Sequence, residues 1–174
     1  VLRRLVRAAR KSMKLASPDA AEQAAQLFFE AGEALPPIVA LYNPTGAEFD
    51  PTPLARRLAA RGVVLALPEV TAASAPLRFV RAADATVEVD PELIFTPLIA
   101  FDGLGGRLGQ GGGYYDRTMA ARRAGPEPPR FIGLGYASQE VALIPHGLHD
   151  QRLDGVLTEK AYLSFPCVSP SSGT

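Results

Sequence analysis

The strongest constraint on this chain is a series of short, unbroken apolar runs, most of them closed by proline and separated from one another by helical stretches. Ile38-Val39-Ala40-Leu41-Tyr42 stops at Asn43-Pro44, Val63 to Leu67 stops at Pro68, and Leu93 to Phe95 continues through Pro97 toward Phe101. A run that is apolar at every position has the pattern of a strand buried on both faces, found where helices cover a sheet on both sides. Leu77 to Val80, Arg130 to Tyr136 and Val156 to Thr158 extend the series. A helix is expected from Ser17 or Pro18 to Gly32, with Ser17 as N-cap, Pro18 at the first helical position and Asp19 in the first turn. Another is expected at about 52–61, closed by Gly62. The alternation predicts a single α/β domain over residues 1–165, with a mostly parallel central sheet flanked by helices, and a flexible Ser/Pro-rich tail at 166–174. Ligands of such sheets sit beyond the carboxyl ends of the strands, so the chemistry belongs in the loops that follow these runs.

Composition narrows the function classes. A chain of 174 residues supports one real core and is too short for two comfortable ones. Eighteen basic groups against eighteen acidic ones argue against a general polyanion binder, so no nucleic-acid partner is expected. The lone Cys167 excludes an internal disulfide and a cysteine zinc cluster, and suits a reducing cytoplasm. No apolar run approaches the roughly 18 residues of a membrane span, and no signal-peptide pattern is present. A start at Val1 rather than Met leads to the expectation of further residues upstream.

The balanced charge hides an asymmetry. Residues 1–14 carry six basic groups (Arg3, Arg4, Arg7, Arg10, Lys11, Lys14) and no acid. Leu2, Leu5, Val6, Ala9 and Met13 recur there at helical spacing, giving an apolar stripe beside a basic face. Either this is a solvated surface helix, or its arginines reach toward a phosphate-bearing ligand. The stripe is too short and alanine-rich to favour a membrane-surface helix.

The segment that carries chemistry is Phe101-Asp102-Gly103-Leu104-Gly105-Gly106-Arg107-Leu108-Gly109-Gln110-Gly111-Gly112-Gly113-Tyr114-Tyr115-Asp116-Arg117. Seven glycines fall within eleven residues, after a buried strand and before a helical stretch. Backbone amides without a Cβ in the way can curl toward an anion, and a helix N-terminus directs partial positive charge at phosphate oxygens. No Gly-Lys-Ser/Thr follows, which excludes a Walker A loop, and the spacing matches a dinucleotide fingerprint only weakly. A glycine-rich loop by itself is more often a flexible turn. Its company raises this one: Arg107 brings a full charge, Tyr114 and Tyr115 bring aromatic faces and hydroxyls, and Asp116 either holds a divalent cation or caps and pairs locally.

This run resembles the signature of the 5-formyltetrahydrofolate cyclo-ligase (5,10-methenyltetrahydrofolate synthetase) family, roughly FD-x-x-G-x-RLG-x-G-x-GYYD. Further blocks agree in order: Tyr42-Asn43-Pro44 with Glu48 and Thr52, Leu67-Pro68, Leu77-Arg78-Phe79, Gly133-Leu134-Gly135-Tyr136 with Gln139-Glu140, Pro145, His149-Asp150, Leu153-Asp154 and Leu157-Thr158-Glu159. The likeness covers about residues 1–160. It implies a fold of the NagB/RpiA/CoA-transferase type and the ATP-dependent conversion of 5-formyltetrahydrofolate to 5,10-methenyltetrahydrofolate, with Mg²⁺ as cofactor. ATP and a reduced folate are the implied partners, and a monomer or weak dimer is expected.

Carried over by position, the resemblance gives Arg3 and the run Arg107, Leu108, Gly109, Gln110, Gly111, Gly112, Gly113, Tyr114 and Tyr115 to ATP. It gives Asp116 and Asp150 to the metal and Glu48 and Tyr115 to the folate, and it places Tyr115 and Arg107 at the reacting groups. His146 and His149 read as loop residues, because Gly147 interrupts a helix there.

Three departures from the family pattern stand out. The lysine that usually precedes an early Leu-Arg would lie before Val1 if Leu2-Arg3 is that pair, and Arg7 offers a second register. A loop position that is sometimes lysine is Gly112. Only thirteen residues separate Phe79 from Leu93, with no Gly-Ile-x-Glu-Pro-like element to cover a pterin. The last departure and the basic first segment leave room for a non-catalytic nucleotide- or RNA-binding member of the same fold. A sugar-phosphate enzyme of related architecture is a third reading, although no base or ring-opening residue presents itself for it.

Overall fold

The computed structural model describes residues 9–10 and 12–165. Arg3, the alternative register at Arg7 and the tail at 166–174 lie outside the described residues. Among the described residues, the helices α1 (Ala20–Glu30), α2 (Thr52–Ala59) and α3 (Tyr114–Arg123) accompany ten strands, and residues 9–10 and 12–16 are also helical. The strands are β1 (Ile38–Ala40), β2 (Val64–Glu69), β3 (Arg78–Arg81), β4 (Asp84–Glu88), β5 (Leu93–Pro97), β6 (Ala100–Phe101), β7 (Arg107–Leu108), β8 (Arg130–Leu134), β9 (Gly155–Leu157) and β10 (Tyr162–Ser164).

Eight strands form one sheet in the order β10-β9-β8-β5-β1-β2-β3-β4. Its five central strands run parallel, with Val39 opposite both Leu93 and Leu65, while β10 at one side and β3–β4 at the other are antiparallel. The expected mostly parallel sheet flanked by helices is therefore present. Strand order reverses at β1, between β2 and β5, and such reversals open a crevice at the carboxyl ends of the strands.

Alternation along the buried strands divides the core in two. Val39, Phe95, Ile132 and Leu157 face α1 and α2, packing with Ala24, Phe28, Leu54 and Leu58. Ala40, Ile94, Phe131 and Val156 face the other side, packing with Met119 of α3 and with Phe79, Leu98 and Phe101. Phe28 meets Phe95 edge-to-face with ring centroids 5.4 Å apart, a contact worth about 0.5–1.5 kcal/mol beyond the area it buries. Among the described residues no helix is long and apolar enough to cross a membrane.

Several boundaries differ from the sequence expectation, each for a local reason. The helix expected from Ser17 or Pro18 begins at Ala20, with Asp19 rather than Ser17 at its N-cap. The Ser17 N–H donates to the Met13 carbonyl, so Ser17 closes the preceding helical turn. Pro68 lies inside β2 instead of ending it. Leu65 accepts from Ala82 on the β3 side and Ala66 accepts from Leu41 on the β1 side, which turns Pro68 toward β1 beyond the end of that strand, where no N–H is needed. The chain does not extend from β5 to Phe101: it turns after Pro97, and β6 pairs with β7 in a separate two-stranded sheet. Residues 78–88, the start of the short segment between Phe79 and Leu93, form the β3–β4 hairpin with an exposed outer strand.

Candidate functional site

A cleft of about 470 Å³ opens at the carboxyl ends of β1, β2 and β5. Tyr42 and Asn43 follow β1, Pro68 and Val70 close β2, Pro97 ends β5, and the opposite wall is the run from Arg107 to Asp116. Glu48, Leu77, Ile144, Pro145 and Asp150 complete the lining. Of the site residues that the resemblance gives, Glu48, the run from Arg107 to Asp116 and Asp150 border one cavity, and Arg3 lies outside the described residues.

The glycine segment is shaped from beneath by Asp102, which is fully buried. Its Oδ1 accepts the Leu104 and Gly106 N–H groups at 2.9 and 2.8 Å, and its Oδ2 accepts the Ile144 N–H at 2.8 Å. Burial pushes this carboxyl up, but the three backbone donors, aided by His146, outweigh burial and hold it below its ordinary 3.8. Gly106 must be glycine, because a Cβ there would stand 2.5 Å from Asp102 Oδ2. Asp102 thus joins the two walls that carry Arg107 and Ile144. At the far end of the loop Gly113 takes φ +64° as the N-cap of α3, a conformation that leads the chain from the loop into the helix.

The guanidinium of Arg107 is almost wholly buried, and its Nη2 donates to Asp116 Oδ2 at 3.0 Å. Its Nε has no partner among the described residues, and its Cζ lies 5.6 Å from the centre of the Tyr115 ring. The other oxygen of Asp116 accepts the Gln151 N–H at 3.2 Å. Burial drives the Tyr115 phenol far above its ordinary 10; Glu48 adds to this and Arg107 only partly offsets it. A phenol raised in this way keeps its proton in ordinary buffers.

Glu48 is buried on the facing wall. Its Oε2 accepts the Thr45 N–H at 2.9 Å and the Thr45 hydroxyl at 3.2 Å, and its Oε1 accepts the Gln110 amide at 2.9 Å. Tyr42, whose hydroxyl donates to the Phe49 carbonyl at 2.8 Å, fixes the same loop. Arg10 is also buried, with Nη1 4.0 Å from Glu48 Oε1 and a long bond of 3.4 Å to the Leu98 carbonyl. This one arginine of the basic first segment thus turns inward to the site rather than into solvent.

Asp116 and Asp150 also border the cleft, and one Asp150 oxygen accepts the Gly147 N–H at 2.7 Å. Among the described residues no group of three or more His, Cys, Asp or Glu side chains is placed to hold a metal. Two carboxylates in an open cleft suit a hard cation that keeps waters and takes its remaining oxygens from a ligand, as Mg²⁺ does, and do not suit a closed protein cage. His146 and His149 lie in irregular loop structure, as the glycine between them led us to expect.

Sequence reasoning missed the roles of three supporting residues. For Asp102 the available signal was an aspartate opening an Asp-Gly-x-Gly-Gly turn. Gln139, buried, accepts the Tyr136 N–H at 2.7 Å and donates to the Leu98 and Ile99 carbonyls at 3.2 and 2.8 Å, bracing the chain behind the cleft. Arg117 donates to the Ala73 and Gly112 carbonyls at 2.9 and 2.8 Å and clamps the glycine loop to the segment after β2. Neither of these two contacts had a signature in the sequence.

Comparison with known proteins agrees with this geometry. Residues 82–159 match the model of the 5-formyltetrahydrofolate cyclo-ligase family. The chain is 46% identical over 54 residues to the 5-formyltetrahydrofolate cyclo-ligase of Haemophilus influenzae, covering 31% of this chain and 28% of that protein. It is 39% identical over 67 residues to the enzyme of the same name from Escherichia coli K12, covering 38% and 36%. The aligned stretches thus span about a third of the curated relatives they match. Among solved structures, a 5,10-methenyltetrahydrofolate synthetase from Mycoplasma pneumoniae superposes with a TM-score of 0.77 at 20% identity, covering 91% of this chain and 96% of that one, a likeness of fold. The 5,10-methenyltetrahydrofolate synthetase of Aquifex aeolicus gives 0.71 at 26% identity, covering 99% and 95%. The resemblance read from the sequence is to the same family.

Proposed function

We propose that this chain, a relative of the 5-formyltetrahydrofolate cyclo-ligases, converts 5-formyltetrahydrofolate to 5,10-methenyltetrahydrofolate with consumption of ATP. The observation that carries the reading is the placement of Arg107, a buried cation whose Nε has no partner among the described residues, beside the glycine run 109–113 and across one cleft from the buried carboxylate of Glu48. A phosphate-binding wall thereby faces a wall suited to the N–H donors of a pterin edge.

The chemistry needs little from the protein beyond alignment and charge. The formyl oxygen attacks the γ-phosphorus, the bond to the bridging oxygen breaks, and ADP leaves. N10 then attacks the formyl carbon, the phosphorylated oxygen departs as inorganic phosphate, and N10 loses its proton, leaving the methenyl bridge. Arg107 and the loop amides neutralise the transferring phosphoryl group, which accumulates charge on its oxygens. The Tyr115 hydroxyl, held protonated by burial, donates toward the reacting oxygen. Glu48 orients the pterin, and holding both substrates in line lowers the entropic part of the barrier. Asp116 and Asp150 would hold Mg²⁺, which supplies charge neutralisation on the polyphosphate when bound.

The test is the purified protein with 5-formyltetrahydrofolate, followed by absorbance of the methenyl product. Product is expected only when ATP and a divalent cation are both present. Tight nucleotide or RNA binding without product would replace this reading with that of a binding module.

A further inference from the structure

The bond between Gln110 Nε2 and Glu48 Oε1, 2.9 Å long and joining residues 62 apart in sequence, crosses the cleft from the glycine loop to the opposite wall. The two ends differ in rigidity. Glu48 is buried, and its second oxygen is fixed by both donors of Thr45. Gln110 sits between Gly109 and Gly111, in a stretch whose backbone freedom must be lost before its amides can hold an anion.

We propose that Gln110 couples the two halves of the site, so that a ligand on the Glu48 wall and a polyphosphate on the glycine loop each bind more tightly when the other is present. The inference rests on the proposed reaction for the identity of the two ligands. A carboxylate oxygen has room for two donors, so a pterin N–H at Oε1 can coexist with the Gln110 amide. The pterin N–H then adds a second donor at Oε1 and reinforces the carboxylate orientation, already set by Thr45 at Oε2, that accepts the Gln110 amide. That contact restrains the loop, and part of the ordering cost of phosphate binding is already met when the nucleotide arrives. By linkage the effect is the same in both directions. Gln110 acts here as a positioning residue.

The experiment titrates a non-hydrolysable ATP analogue calorimetrically, with and without saturating 5-formyltetrahydrofolate, into the natural chain, Gln110→Leu and Gln110→Arg. In the natural chain the folate should tighten the analogue about 10-fold, within the usual range of such couplings. Gln110→Leu, similar in size but without a donor, should bring the ratio to about one, and Gln110→Arg, which keeps a donor, should retain a ratio well above one. A purely structural role for Gln110 would weaken the analogue equally in both conditions and leave the ratio unchanged in Gln110→Leu; that result overturns the coupling, as does a ratio of one in the natural chain. If the natural chain binds both ligands with the expected ratio but forms no product with ATP, the coupling stands and the proposed reaction fails. If it binds no folate, both fail.

Discussion

Arg107 Nη2 and Asp116 Oδ2 lie 3.0 Å apart across the eight residues that form the glycine loop and open α3, and this pair closes the loop on itself. The carboxylate has two tasks in the account, balancing a buried guanidinium and offering an oxygen to a cation.

Asp116→Asn should therefore separate stability from turnover. Losing one partner of a partly exposed pair costs about 1–3 kcal/mol, which leaves the chain folded. Turnover should fall by about 100-fold or more as the anionic ligand disappears. Thermal melting and the absorbance assay read the two effects, and near-normal activity would remove Asp116 from the cation site.

Glu48→Gln keeps the shape of the facing wall but removes its charge. The KM for 5-formyltetrahydrofolate should rise about 10-fold or more, because hydrogen bonds to a charged group are about twice as strong as neutral ones. Affinity for the ATP analogue measured without folate should change less. Steady-state kinetics and calorimetry test this, and the opposite order would remove Glu48 from the folate wall.

Asp102 should leave a signature in acid. Its folded pKa lies below its unfolded value near 3.8, so the stability it contributes is complete above that pH and is lost as pH falls through the folded value. Urea unfolding of the natural chain should weaken on that limb, and Asp102→Asn should flatten it while lowering stability at pH 7 by about 2–3 kcal/mol. Equal acid limbs in both proteins would contradict the three-donor account.

Gly113→Ala tests the loop backbone. At φ +64° an L-residue costs about 1–2 kcal/mol, and the new Cβ would stand 2.8 Å from Arg117 Nη1. The Arg117 clamp on the Gly112 carbonyl should loosen, and the ATP analogue should bind several-fold more weakly in calorimetry.

Much of this organisation was legible in the chain before any coordinates. Unbroken apolar runs such as Ile38–Tyr42 have the pattern of strands covered on both faces, although β1 itself ends at Ala40, and their alternation with helices leads to the parallel centre of the sheet. The glycine run announced itself by composition, and Arg107, Asp116 and Glu48 by their positions in a family pattern. What escaped notice was set by contacts distant in sequence. Pro68 is tolerated inside β2 only because β1 ends at Ala40, which no local pattern encodes. The strand Asp84–Glu88 alternates Ala85 and Val87 with polar residues but is exposed along its whole length, so its two small apolar positions mark no buried face and stood out from no neighbouring loop. Gln139 reaches carbonyls some forty residues away, and Arg10, read as part of a basic face, turns inward to Glu48.

The most direct measurement follows the formyl oxygen itself. With substrate labelled by ¹⁸O at the formyl group and unlabelled ATP and water, transfer of the γ-phosphoryl group to that oxygen predicts one labelled oxygen in each inorganic phosphate released. Unlabelled phosphate accompanying methenyl product, with the label found in water, would show that ATP is hydrolysed without phosphorylating the formyl oxygen and would contradict the account.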